Sequence, residues 1–190
     1  MKNKSFLVLI IFALLSGCGF IVIVDGQWEN SDEFKVSYET RPSDIIKMYL
    51  GENYVNERNN YCISCFSIYC GQAKEHYYYC NKLFEETKEN FEWFAVTVYD
   101  SISHNKFRKK MECPDNYLVY NYPVFYNING LRSSLRNLYY NNNIPDEDIS
   151  TLTFIIQNDT IKKITRGIIY TEEKYLEHKL FLESLILQMK

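Results

Sequence analysis

Residues 91–99, Phe-Glu-Trp-Phe-Ala-Val-Thr-Val-Tyr, are almost continuously apolar or β-branched. A run of this kind is expected as a parallel strand covered on both faces. Both covers must come from elsewhere in the chain, and helix patterns flank the run. After Cys70-Gly71, the residues Ala73, Tyr77, Cys80 and Phe84 recur at helical spacing as one apolar stripe, leaving Lys74, Lys82, Glu85, Glu86 and Lys88 free to face water. Residues 61–69, rich in aromatics, Ile and Cys, read as a strand entering that helix. Asp100 marks the end of the central strand. Further helices are expected over 104–111 and, after Asn129-Gly130, over 131–140. Strands over 151–157 and 161–169 flank Asn158-Asp159, a turn short enough to require antiparallel pairing. A last helix starts near Thr171, with Glu172 and Glu173 at its positive pole. Upstream, Ser43 is expected to cap a short helix through Ile45, Ile46, Met48 and Tyr49 that Gly51 ends. Strands separated by helices and closed by a hairpin imply an α/β sheet between helical layers.

The chain has 190 residues, enough for one domain with a substantial core. Its formal charge of -3, with lysines mixed among carboxylates, provides no basic face for a phosphate backbone and argues against nucleic-acid binding. An aromatic share of 16% argues for a folded core over disorder. Residues 25–41 are polar apart from an alternation at Phe34, Val36 and Tyr38 that suggests a short strand.

Lys2 and Lys4 precede the apolar run 6–15 and then Leu15-Ser16-Gly17-Cys18, a tetrad that resembles a bacterial lipobox with Cys18 as the acylated residue. The apolar stretch 20–24 departs from the polar linker usual after a lipobox. Taken whole, 6–24 is long enough to cross a bilayer with the lysines held inside. A plain secretory signal cleaved near Gly26 is a third reading. All three export the rest of the chain, dividing it into a signal over 1–18 (or an anchor over 6–24), a tether over 19–42 and a domain over 43–190.

Among the cysteines, Cys70 stands at an expected helix N-terminus, where the helix dipole favours the thiolate. The bland alternative is a relic thiol in a partly buried turn. Cys62 and Cys65 form Cys-x-x-Cys, but on a strand residues three apart point to opposite faces, so a redox pair is not expected. The spacing of Cys62, Cys65, Cys70 and Cys80 lacks the paired turns of a zinc ribbon, and no metal is expected. Cys80 lies on the apolar helix stripe and reads as core. Cys113, beside Pro114, is the better candidate for a structural disulfide or a distant resolving thiol. Ser67, three residues before Cys70, stands where a Thr-x-x-Cys peroxidase motif would need threonine. His76, His104 and His178 are isolated in sequence and are expected at solvated positions. Asn158-Asp159-Thr160 fits a glycosylation sequon on the expected hairpin turn.

The stretch Cys65-Phe66-Ser67-Ile68-Tyr69-Cys70-Gly71-Gln72-Ala73-Lys74-Glu75 resembles the strand, Cys-Gly-Pro-Cys and helix start of the thioredoxin-like superfamily, in its TlpA-like envelope branch. Residues 91–101 are similar to that family's central strand and turn. Tyr122-Pro123-Val124-Phe125-Tyr126 with Asn129-Gly130 is similar to its next element, and 149–156 with the hairpin to Gly167 to its closing strands. The resemblance covers roughly 43–187. It implies a three-layer α/β/α sandwich with a mixed central sheet, a catalytic Cys70 with motif neighbours Gly71, Gln72, Ala73, Ser150 and Thr151, no cofactor, and a protein thiol, disulfide or peptide as partner.

Two departures bear on activity. Ala73 replaces the second cysteine of the dithiol, and Ser150 stands where the family has a cis-proline. In the family the first thiolate attacks a disulfide and the second resolves the mixed disulfide. Cys80 cannot substitute as resolver, because ten helical residues separate it from Cys70 by roughly 15 Å. The resemblance therefore implies at most monothiol chemistry, or else a noncatalytic binding module.

Overall fold

The computed structural model describes residue 37 and residues 39–66, 73–97, 99–110, 120–128, 130–141 and 151–189. The expected strand around Phe34 and Tyr38 lies outside them.

The central run forms β2 (Glu92–Val96). It pairs in parallel with β1 (Tyr61–Cys65) on one side and with the short β3 (Val124–Phe125) on the other. β1 also pairs antiparallel with β4 (Leu152–Gln157), and β4 with β5 (Thr160–Arg166), giving the order β3-β2-β1-β4-β5. The hairpin forms as expected, with Asn158 and Asp159 both at positive φ, +49° and +58°. Asn and Asp tolerate that region better than other side chains do.

Register sorts the strand residues into rows. Cys62, Trp93 and Ile155 align across the sheet, as do Ser64, Ala95 and Thr153 one pleat on. These rows face the helices α2 (Ala73–Thr87) and α5 (Glu172–Leu187), whose Tyr77, Cys80, Leu83, Tyr175, Leu182 and Leu185 complete one core. Rows Ile63-Phe94-Phe154 and Cys65-Val96-Leu152 face α1 (Pro42–Leu50) and α4 (Leu131–Tyr139), where Ile45, Ile46, Leu131 and Leu135 close the other core. Trp93 to Val96 are all buried. The parallel run is thus covered on both faces, and the architecture is a three-layer α/β/α sandwich with a mixed central sheet.

Several local details depart from expectation. α1 starts at Pro42, with Arg41 in the cap position and its N–H donating to the Asp44 carboxylate at 3.0 Å. Ser43 lies inside the first turn and caps nothing. Instead its N–H and Oγ–H donate to the two oxygens of Asp159 at 2.8 and 2.6 Å. A carboxylate 116 residues away in sequence thus satisfies an amide that local sequence was expected to serve. Gly51 ends α1 at φ +104°, a conformation suited to glycine. The next helix, α3 (Ser101–Lys110), begins earlier than expected. Asp100 serves this helix, accepting from the Ser103 N–H at 2.6 Å, more than it ends the strand. Thr171 caps α5 by accepting from the Lys174 N–H, and Glu172 and Glu173 occupy the first turn as expected. β5 stops at Arg166, so Ile169 lies in the connection to α5, buried in the α2/α5 core.

Candidate functional site

β1 and β2 are parallel and end at the same edge of the sheet, and β4 starts there, its Leu152 directly opposite Cys65. At this edge the Phe66 N–H donates to the Val96 carbonyl at 3.0 Å, and the Thr151 carbonyl accepts from the Gly167 N–H at 2.9 Å. The chain leaves β1 after Cys65 and re-enters description at Ala73, the first residue of α2. Cys70, Gly71 and Gln72 belong to that connection and lie outside the described residues, as do Ser150, Cys18 and Cys113. Among the expected site residues the fold brings Thr151, which is buried, to the end of the sheet where β1 stops; Ala73 opens α2.

Beneath the start of α2 is a buried polar group that sequence reasoning missed. His76, 2% exposed, is enclosed by Ser64 from β1, Cys80 one turn along α2, and Tyr77 and Tyr120. Its Nδ1 accepts a hydrogen bond from the Ile169 N–H at 3.1 Å. An acceptor nitrogen carries no proton, so the ring is the Nε2–H tautomer, with Nε2 3.4 Å from Ser64 Oγ. Burial, reinforced by His178, lowers the His76 pKa to about 4. His178 is also buried, contrary to the solvated position expected for it. Its Nδ1–H donates to the Lys174 carbonyl at 2.6 Å, so Nε2 accepts from Thr165 Oγ1 at 2.8 Å. Desolvation is the main cause that lowers both imidazole pKa values and so favours their neutral forms. The side chain of His104 lies outside the description. A signal for His76 was present in the sequence: it stands four residues before Cys80, on the stripe already read as apolar.

Aromatic rings close the cluster. Tyr120 stacks on Tyr77 with centroids 4.3 Å apart and meets Phe66 edge-on at 5.3 Å. Burial raises the phenol pKa values of Tyr120 and Tyr122 well above normal. Their hydroxyls and Thr153 Oγ1 are buried without a well-formed hydrogen bond to any described residue.

The described cysteines, Cys62, Cys65 and Cys80, are free and fully buried. Cys62 faces α2 and α5 while Cys65 faces α1 and α4, which separates the Cys-x-x-Cys pair by the thickness of the sheet. Burial pushes the thiols of Cys65 and Cys80 up to about 12 and that of Cys62 well above its ordinary value, so none is a thiolate at neutral pH. Among the described residues no group of three or more His, Cys, Asp or Glu side chains is placed to hold a metal ion, and no helix is long and apolar enough to cross a membrane. A groove of about 300 Å³ lined by Thr40, Pro42, Leu138, Tyr139, Asp159, Thr160 and Ile161 lies at the opposite end of the sheet.

No protein-family model matches the sequence, and no curated protein matches it significantly. Among solved structures, the chain is similar to one from Chlorobium tepidum described as the thiol:disulfide interchange protein DsbE. It shares 15% identity at TM-score 0.44, over 65% of this chain and 78% of that one. It is similar too to one from Bacteroides thetaiotaomicron described as a protein disulfide isomerase, again at 15% identity and TM-score 0.44, over 66% and 72% of the two chains.

Proposed function

We propose that this chain is an exported, envelope-anchored thioredoxin-fold protein related to thiol:disulfide oxidoreductases, in which Cys70 is the sole attacking thiol. The observation that supports this reading most is the sheet edge where β1 ends, opposite the start of β4, with α2 opening seven residues after Phe66. Cys70 lies in the connection between β1 and α2, three residues before Ala73. In the proposed reaction the Cys70 thiolate attacks one sulfur of a substrate disulfide R–S–S–R′, forming Cys70–S–S–R and releasing R′S⁻. An external low-molecular-weight thiolate then attacks the R sulfur, which forms a new disulfide with R and returns Cys70 to the thiolate. The exchange conserves electrons and needs no second cysteine at Ala73.

A second reading, a noncatalytic module that holds a peptide or protein partner at the same edge, draws support from the described thiols. Cys62, Cys65 and Cys80 are all buried and protonated, so none is available to resolve a mixed disulfide. Mixed-disulfide trapping and insulin reduction, with the wild type compared against Cys70→Ser, separate the two. Monothiol chemistry predicts an adduct on Cys70 that the variant lacks, whereas identical behaviour leaves only the binding role. Anchoring through acylated Cys18 predicts a mature N-terminus carrying lipid at that residue, and mass spectrometry of the membrane-extracted protein distinguishes it from an uncleaved 6–24 helix.

A further inference from the structure

We propose that His76 is an acid-released latch, a neutral imidazole that holds the 167–171 connection against α2 and lets it go when Nδ1 is protonated. This inference is independent of the thiol reading, since every group in it belongs to the described core.

The asymmetry between the two buried histidines carries the argument. His76 Nδ1 faces a backbone N–H, that of Ile169, 93 residues away in sequence. An amide can only donate, so a proton on Nδ1 sets two donors against each other and the bond cannot survive in any rotamer. His178 Nε2 faces the Thr165 hydroxyl, which can rotate from donor to acceptor, so that contact tolerates a charged ring. The other polar contacts of His76 tolerate the charge: Nε2–H donates to Ser64 Oγ in both states, and the Cys80 sulfur, 3.6 Å from Nδ1 and 3.7 Å from Nε2, can accept from a protonated ring. Acid therefore breaks one link selectively, the one between α2 and the chain that joins β5 to α5.

The surroundings of His76 oppose a charge on the ring. Cys80 and Tyr77 from α2, Ser64 from β1 and Tyr120 from the segment before β3 face the ring, His178 from α5 acts on it electrostatically, and burial keeps the Cys80 thiol and the Tyr120 phenol protonated at neutral pH. His178, itself bordered by Lys163, Lys174 and Glu177, adds repulsion once it takes up a proton. Among the described residues a charge on His76 therefore has no anionic neighbour to neutralise it, and displacing the connection to admit water is the route to relief. Ile169, now 1% exposed, would leave the core with it. The Gly167 N–H bond to the Thr151 carbonyl and the Thr171 cap bound the released segment on its two sides.

The test is hydrogen exchange of the Ile169 amide in the full-length protein between pH 7 and 3.5, expressed as a protection factor so that intrinsic exchange is removed. It is run beside nitrogen-15 NMR of the His76 ring. The expected result is a fall in Ile169 protection of tenfold or more that tracks the titration of His76, while the β1, β2 and β4 amides stay protected. In His76→Gln the side-chain oxygen can accept from Ile169 and the amide can donate to Ser64, so protection should persist over the same range. Constant Ile169 protection through the His76 titration would overturn the latch. So would an equal loss in His76→Gln, or a loss shared by all strands at once. The wild-type coincidence of ring and amide decides the question even if the variant fails to fold.

Discussion

Cys62, Cys65 and Cys80 show how far single residues can be interpreted before a fold is known. The pleat alone assigns Cys62 and Cys65 to opposite faces, and helical spacing alone puts Cys80 on a buried stripe. The structure adds that all three are fully buried. Maleimide at pH 7 should therefore leave them unmodified in the native protein and label all three in guanidinium, with peptide mass spectrometry reading each site. Labelling of any one at its denatured rate would contradict its burial. His76 and His178 are the opposite case, because an isolated histidine in sequence looks solvated. Their burial depends on two donors, the Ile169 N–H and the Thr165 hydroxyl, and one acceptor, the Lys174 carbonyl, and the partner Ile169 is 93 residues from His76.

At the scale of elements, periodicity identified β1, β2, the hairpin and the helices that became α2, α4 and α5, because burial of one face or both leaves a direct imprint on the order of residues. Helix starts were less legible. Ser43 has the chemistry of a cap, yet Arg41 takes that position and Asp159 binds Ser43 from the hairpin turn. The start of α1 is therefore held to the tip of the β4–β5 hairpin by a charge-assisted contact. Asp159→Ala should lower stability by about 1–2 kcal/mol, while Ser43→Ala, which keeps the backbone donor, should cost less. Urea titration of both variants checks the order. At the far end of the hairpin, Thr171→Ala removes the α5 cap and should cost about 1 kcal/mol in the same assay.

For the molecule as a whole, two cores on either side of one sheet carry the stability, and Phe154 sits in the row Ile63-Phe94-Phe154 with no exposed surface. Phe154→Ala should cost about 3–5 kcal/mol, through lost transfer energy and the cavity left between the sheet and α1 and α4. Calorimetry should show a correspondingly lower melting temperature with the sheet otherwise intact. The buried histidines make the fold less stable in acid. His76 falls from an ordinary 6.5 to about 4 in the folded chain, so between these values the unfolded chain binds a proton that the native one refuses. A shift of this sign makes the His76 contribution to stability complete above pH 6.5 and progressively smaller as pH falls toward 4. His178, also lowered, acts in the same direction. The urea midpoint should decline over that window in the wild type and decline less in His76→Gln. An equal slope in the two proteins would remove His76 from the account.

Local order in the chain was sufficient for the α/β class, the antiparallel hairpin and the two-sided burial of residues 93–96, because alternation and helical spacing are themselves records of which face meets water. It was also sufficient to show that Ala73 supplies no second thiol. Only the tertiary structure decided that Ser43 answers to Asp159, that two histidines are core residues, and that His76 binds Ile169. Each of these depends on a polar group whose partner lies far along the chain. A buried donor or acceptor is tolerable only when the folded backbone delivers its complement, and residue spacing carries no trace of that delivery.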